Sequence, residues 1–529
     1  MRHPVILVLS FGLGPALAAQ MPPGWNLQAH LGAGQPEGGP WYGGGAWAAD
    51  KHGPPATLVD GVGLGNALTG TGFHLEGGLR FSKWDFAAEV LGVRSPTGMA
   101  YMTLYRGHAV RRSQGDDGWL AGFEMEPLVW GYGLNGGYLL GDAGRPFPRA
   151  RVASPMVDLH PFNVPLGTWG FQVFVGRLEN HRELSASVQD PLEQEALIQD
   201  QGDPQAPLLN GYRVQAEFSD FMEFYANYID LWGGTLNGVS MLKGYNAGDA
   251  LTAMFGLKDS LAEGKVDLNG TRDFTGYKNK ARSASNADVG FRIRSRPLER
   301  WLQADSVYGY VSRGSKSVWS TPGLFFGNPV RYMWRDLRTE FQRATQGRVN
   351  AIWNATARYT SPNLSNPNDA VGVLLAWPHF RLGLEYLDAV NTPTPANYVR
   401  PFQNSIYLTG FYYYGDPLGS AIGGEARITT VRVETDFSSR WSGTTIGHWG
   451  TSPFRDDPTL WQQANPGLVP AFDRFYGLQQ TLAWRLRPGW TWSGGASWEH
   501  HGAVGYVPGA SANGFQYFTD LTFRWPVPR

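Results

Sequence analysis

The sequence predicts an all-β chain folded as a transmembrane antiparallel β-barrel. Three observations carry this: long segments of two-residue alternation, an asymmetry between tight turns and long connections, and an N-terminal export signal. The alternation recurs along almost the whole chain. Phe73, Leu75, Leu79 and Phe81 share one face with Gly77, whereas His74, Glu76 and Arg80 share the other. Tyr212, Val214, Ala216 and Phe218 oppose Arg213, Gln215 and Glu217, and Val349, Ala351, Trp353, Ala355, Ala357 and Tyr359 oppose Asn350, Asn354, Thr356 and Arg358. Leu478, Leu482, Trp484 and Leu486 oppose Gln479, Thr481, Arg485 and Arg487, and Phe515, Tyr517, Leu521, Phe523 and Trp525 oppose Gln516, Asp520, Thr522 and Arg524. Successive side chains on a strand point to opposite faces, so each segment has one apolar and one polar wall.

A soluble sandwich alternates too, so segment length and connection length decide between them. The segments run to about 9–13 residues, which suits a tilted membrane-spanning strand better than the usual five or six. Tight turns fall at Ser82-Lys83-Trp84-Asp85, Ser219-Asp220 and Arg487-Pro488-Gly489, against long connections around 180–209, 233–287 and 312–345. Short turns on one side and long loops on the other are the mark of an outer-membrane barrel. Trp119, Trp130, Trp169, Trp232, Trp490 and Trp525 stand at strand ends, where interfacial aromatic girdles form. The tally is roughly 16–18 strands. Because hydrocarbon satisfies no free N–H or C=O, the first and last strands should pair with each other.

In chain order, residues 1–19 read as a secretory signal: Met1-Arg2-His3 is basic, Val5 to Leu13 is apolar, and Ala16-Leu17-Ala18 offers a small-residue cleavage site. Residues 20–70 form a Gly- and Trp-rich segment leading into the barrel, residues 71–525 the barrel, and 526–529 a short tail. Composition narrows the chemistry. With no cysteine among 529 residues there is no thiolate metal site, disulfide or cysteine nucleophile. A net charge of −1 gives no electrostatic footprint for nucleic acid. No HExxH or G-x-S-x-G pattern occurs, so neither an enzyme, a metal nor a soluble cofactor is expected.

The most distinctive stretch is Trp130–Arg149. Trp130, Gly131 and Gly133 open it, Leu139-Leu140-Gly141-Asp142-Ala143 continues it, and Arg145-Pro146-Phe147-Pro148 closes it. Leu209-Asn210-Gly211-Tyr212-Arg213, Leu231-Trp232-Gly233-Gly234 and Gly415-Asp416-Pro417-Leu418-Gly419-Ser420-Ala421-Ile422-Gly423 follow in order. These blocks, across about residues 119–435, resemble the capsule-assembly Wzi family of outer-membrane lectins. The resemblance implies an 18-stranded barrel, with long extracellular loops and a lumen narrowed by inward-folded plug loops. It also implies that the chain holds capsular or related polysaccharide at the cell surface. Family members carry a small helical region before the first strand; residues 20–70 lack helical periodicity.

The loop residues themselves suit a sugar site. Trp130, Tyr132 and Tyr138 offer aromatic platforms. Asn135 and Asp142 offer hydrogen bonds, and Arg145 and Arg149 a bidentate grip on uronate carboxylates. Trp334 and Arg335 belong to the densest cationic-aromatic cluster, and Asp416 sits in the second glycine-rich loop. The same aromatics and glycines would equally serve a plug folded into the barrel mouth. The expected partners are surface polysaccharide, outer-membrane lipid and lipopolysaccharide, and the barrel-assembly machinery, with the chain a monomer. An outer-membrane pore or exopolysaccharide export channel is the alternative.

Overall fold

The computed structural model describes residues 25–38, 70–94, 100–180, 205–240, 247, 283–316, 368–388, 412–418, 427–452 and 465–525, except for 82, 114–117, 135–136, 138, 142–145, 161–166, 237–238, 414–415, 470, 472 and 504–505. The wall begins with β1 (Trp25–Gly38), β2 (Gly70–Phe81), β3 (Trp84–Arg94), β4 (Ala100–Arg112), β5 (Leu120–Met125) and β6 (Arg149–Ala153). It continues with β7 (Thr168–Arg177), β8 (Leu208–Phe218), β9 (Met222–Trp232), β10 (Ser283–Arg294), β11 (Ser306–Lys316) and β12 (Asn368–Trp377). It ends with β13 (Phe380–Asp388), β14 (Arg427–Asp436), β15 (Trp441–Ser452), β16 (Asp473–Arg487), β17 (Trp490–His501) and β18 (Ala512–Trp525). The sheet counts nineteen strands, one of which, Val157–Asp158, is a two-residue continuation of the β6 position against β7, leaving eighteen positions.

Every neighbouring pair is antiparallel, as in β8 with β9, where Phe218 pairs with Met222 and Leu208 with Trp232. The last strand returns to the first: Leu27 pairs with Trp525 and Gly38 with Gly514. On its other edge β1 pairs with β2, Trp25 with Leu79 through Gly34 with Gly70. The circuit of pairings thus supplies ladder partners for the backbone, as a lipid-embedded sheet requires. β1 also corrects a boundary. The barrel begins at Trp25 rather than residue 71, because Trp25, Leu27, Ala29 and Leu31 already alternate with Asn26, Gln28 and His30 upstream of the glycine-proline run.

Tight turns join β2 to β3, β8 to β9, β12 to β13, β14 to β15 and β16 to β17 at one end, which marks that end as periplasmic. At the same end β10 and β11 are joined by the helix α1 (Arg296–Leu302). The Arg294 guanidinium beside Glu299 in α1 holds that carboxyl below its usual range. The segment 349–359, read above as a strand, lies outside the described residues.

The polarity of a soluble core is inverted. On β5, Phe123 is 73% exposed while the next residue, Glu124, is 6% exposed. On β16, Leu478 is 52% exposed and Gln479 is 2% exposed. The apolar wall faces out and the charged wall faces in, which only a lipid solvent favours. Inside, charges pair: Glu89 with Arg106, and Glu223 with Arg292 at 2.5 Å. Aromatic pairs ring the periplasmic rim, with Trp84 stacked near Phe86, Trp441 on Trp484 at 5.1 Å, and Trp169 edge-on to Phe218. Trp130 and Trp232, expected in the girdle, are buried instead. The sequence shows their place at strand ends but not that the adjoining chain turns inward.

Leu478 tests the lipid-facing assignment. Leu478→Arg should lower unfolding stability in lipid vesicles by about 2–4 kcal/mol, read by urea titration of tryptophan fluorescence. Gln480→Ala, on the same outward row but adding no charge, should change it by far less.

Candidate functional site

After Met125 the chain leaves the wall and enters the lumen. The Trp130 N–H donates to the Leu140 carbonyl at 2.9 Å and closes residues 130–140 into a compact loop. Gly137 makes that closure possible: a Cβ there would lie 2.2 Å from the Leu140 oxygen and 2.4 Å from the Trp130 oxygen. Trp130 then packs with Leu139, Leu140 and Phe147 of the loop, Phe174 and Leu178 at the end of β7, Leu209 on β8, and Ile229 and Leu231 on β9. Its indole N–H donates to Gln172 Oε1 at 3.3 Å, and its carbonyl accepts from Asn227 Nδ2 at 3.2 Å. Gly211 lets Phe174 lie flat on the wall; a Cβ there would sit 2.0 Å from the ring.

The loop tip crosses to the far side. Tyr132 meets Tyr225 on β9 edge-on at 5.0 Å, and the Arg292 guanidinium on β10 lies 4.8 Å from the Tyr132 ring centre. Burial, with the Glu223 carboxylate, pushes the Tyr132 phenol up to about 12. The Leu134 N–H donates to Glu385 Oε2 on β13 at 2.8 Å, and the Tyr310 hydroxyl on β11 donates to the same oxygen at 2.5 Å. From β5 to β13 is eight of the eighteen positions round the ring, so the loop spans nearly a full diameter. A second inward segment meets it. The short hairpin of Tyr412–Tyr413 with Asp416–Pro417 leads to Leu418, which sits in the Trp130 cluster, and its carbonyl accepts the Gly141 N–H at 2.8 Å. Two of the glycine-rich blocks singled out in the sequence are therefore packed on one another.

The structure separates the candidate residues. Trp130 is 1% exposed and Arg149 4%, so neither presents a face to a ligand. This corrects the platform and uronate-grip readings: Phe174 covers the indole, and Glu124 occupies the guanidinium at 2.6 Å. Glu124 also pairs with Arg151 at 2.8 Å, so a buried carboxylate holds two arginines, one buried and one partly exposed. Tyr132 is partly buried between Tyr225 and Arg292, a plug contact. Asp416 is placed in the second inward hairpin by its backbone. Asn135, Asp142, Arg145, Trp334 and Arg335, with Tyr138, lie outside the described residues.

Sequence reading missed Glu124, Tyr225 and Tyr310, inward groups that stand against the loop or its ends. Their only signal is an inward parity on strands whose register the sequence does not reveal. It also missed a buried chain on β15–β17. There His501 Nδ1 lies 2.7 Å from Asp473 and Nε2 2.7 Å from Glu499, and His448 lies 3.2 Å from Glu499. The adjacent His500-His501 pair is its one trace in the sequence.

This architecture has known counterparts. The chain is similar to Wzi of Escherichia coli, an outer-membrane protein involved in group 1 capsule assembly and described as a carbohydrate-binding β-barrel. The TM-score is 0.54 with 14% identity, over 93% of this chain and 83% of that one. It also aligns with OpdL of Pseudomonas aeruginosa at a TM-score of 0.42 and 11% identity, over 95% and 99% of the two chains. OccAB3 of Acinetobacter baumannii aligns at 0.43 and 10% identity, over 95% and 99%. The fold is that of an outer-membrane β-barrel. No family model matches the sequence, and no curated protein matches it.

Two sets of variants test the plug. Glu124→Leu leaves both Arg149 and Arg151 without their buried counter-charge and should destabilise by about 3–5 kcal/mol. Arg149→Met leaves Glu124 still paired with Arg151 and should cost less, and the double variant should recover part of the Glu124→Leu loss in the same urea titration. Trp130→Ala should remove about 3–5 kcal/mol through the cavity it opens. It should also raise protease cleavage within 126–148 in intact vesicles.

Proposed function

We propose that the barrel is occluded by its own inward loops and binds surface polysaccharide on its extracellular side, without transporting solute. The observation that carries this reading is the loop from β5 whose Leu134 N–H is bonded to Glu385 on β13. A pore needs a wide aqueous path, whereas this lumen is crossed by an apolar cluster built on Trp130 and capped by Leu418. Internal charges of mixed sign, such as Glu223 with Arg292, also suit a filled interior better than a selectivity ring of one sign. The carbohydrate binding of Wzi, a barrel of the same fold, supports the polysaccharide assignment. With Trp130 and Arg149 committed to the plug, the contacts proposed for the glycan are Asn135, Asp142, Arg145, Trp334, Arg335 and Asp416. Arginine forks and carboxylate or amide groups match the uronate and hydroxyl groups of such chains.

Planar-bilayer recording and glycan binding test the proposal together. The wild-type protein should be silent in the bilayer, and Arg335→Ala should weaken binding of purified surface glycan about tenfold, the loss of one charge-assisted hydrogen bond. Steady wild-type conductance, or glycan binding that is absent from the wild type, would overturn it in favour of a transport pore.

A further inference from the structure

The helix α1 is an unusual turn for the periplasmic rim. It is tied down at three points. Glu299 accepts from Arg294 Nε at 2.6 Å and from the Val307 N–H at 3.3 Å, which fixes it between β10 and β11. Arg296 is ion-paired with Asp220 in the adjacent turn. The Leu302 carbonyl accepts the indole N–H of Trp377, at the end of β12, at 3.2 Å. Gln303 ends the helix in the left-handed conformation at φ 53. A turn held this firmly nevertheless leaves Trp301 77% exposed and Leu298 45% exposed.

Helical spacing explains the orientation. Residues three apart share a face, so Leu298 and Trp301 lie together, while Glu299 is buried on the side that meets the barrel rim. The apolar face continues an established surface: Ile293, the last outward position of β10, is 50% exposed, and Phe221 in the neighbouring turn is 49% exposed. Arg300 is exposed on the same helix, while Arg296 turns to Asp220. Tryptophan prefers the headgroup level, where its ring is apolar and its N–H is wet, and arginine there reaches lipid phosphate.

We propose that α1 is an interfacial anchor that inserts Leu298 and Trp301 among the phospholipids of the inner leaflet, with Arg300 directed to their phosphates. The strand girdle sits at the end of the hydrocarbon. This helix extends the contact laterally, below the rim, at the β10–β11 turn. It holds β10–β11, the strands that carry Arg292 and Tyr310 against the plug, at a fixed depth. The inference rests on the barrel fold and is independent of whether the protein binds glycan.

The chain has no cysteine, so single substitutions give clean labelling sites. Trp301→Cys, Leu298→Cys and, in the exposed β2–β3 turn, Lys83→Cys are spin-labelled and reconstituted in phosphatidylethanolamine–phosphatidylglycerol vesicles. Collision with oxygen, which concentrates in lipid, is compared with collision with a water-soluble nickel chelate. Labels at 298 and 301 should show an oxygen-to-nickel ratio several-fold above that at 83, and the 298 site keeps the test valid if the tryptophan variant fails to fold. Equal ratios at all three sites would overturn the anchor. Shielding at 301 seen in native outer membranes but lost in pure lipid vesicles would also overturn it, and would identify a periplasmic protein as the occupant.

Discussion

Everything in this molecule follows from the need to pair backbone N–H and C=O groups where no water can reach them. The pairing of β18 with β1 meets that need by giving the first and last strands each other as partners. Once the backbone is satisfied in this way, side chains are sorted by solvent on two sides rather than one. Phe123 and Glu124, adjacent on β5, fall on opposite sides of that division. The lumen thereby becomes the place where charge is tolerated, and there it is paired: Glu124 is flanked by two arginines and Glu223 by Arg292.

A lumen of this kind can be filled only by chain that brings its own apolar core. The loop after β5 does so with Trp130, Leu139, Leu140 and Phe147, which dry out a patch of wall at Phe174, Leu209, Ile229 and Leu231. Two polar groups of the wall are taken up by the loop backbone: Asn227 donates to the Trp130 carbonyl, and Glu385 accepts the Leu134 N–H. Plug and wall are complementary in both apolar and polar terms, as in a folded protein interior.

Much of the barrel was legible because its governing period is two and its turns are chemically distinct. The alternation at Tyr212–Phe218 and Leu478–Arg487, and the turns at Ser219-Asp220 and Pro488-Gly489, all fall where the sequence places them. β1 was missed because glycines and Pro36 dilute its pattern, although Trp25 to Leu31 alternate cleanly. The site was less legible. Trp130 and Arg149 have the composition of a sugar platform, yet burial assigns them to the plug. Composition cannot distinguish a ring packed against Phe174 from one offered to a ligand, since both require the same flat apolar surface. Glu385 has an inward parity on its strand, but its partnership with Leu134 exists only because β13 faces β5 across the lumen.

The seating of Leu418 against Trp130 joins parts of the chain that are far apart in synthesis and in the order of the wall. Between them lie the strands from β6 to β13, so the apolar cluster lacks its last member until most of the cylinder has been threaded. Contacts of such long sequence separation form late. During assembly the lumen therefore passes through a wetter, looser stage, and only near the end of biogenesis does the stopper click into its seat.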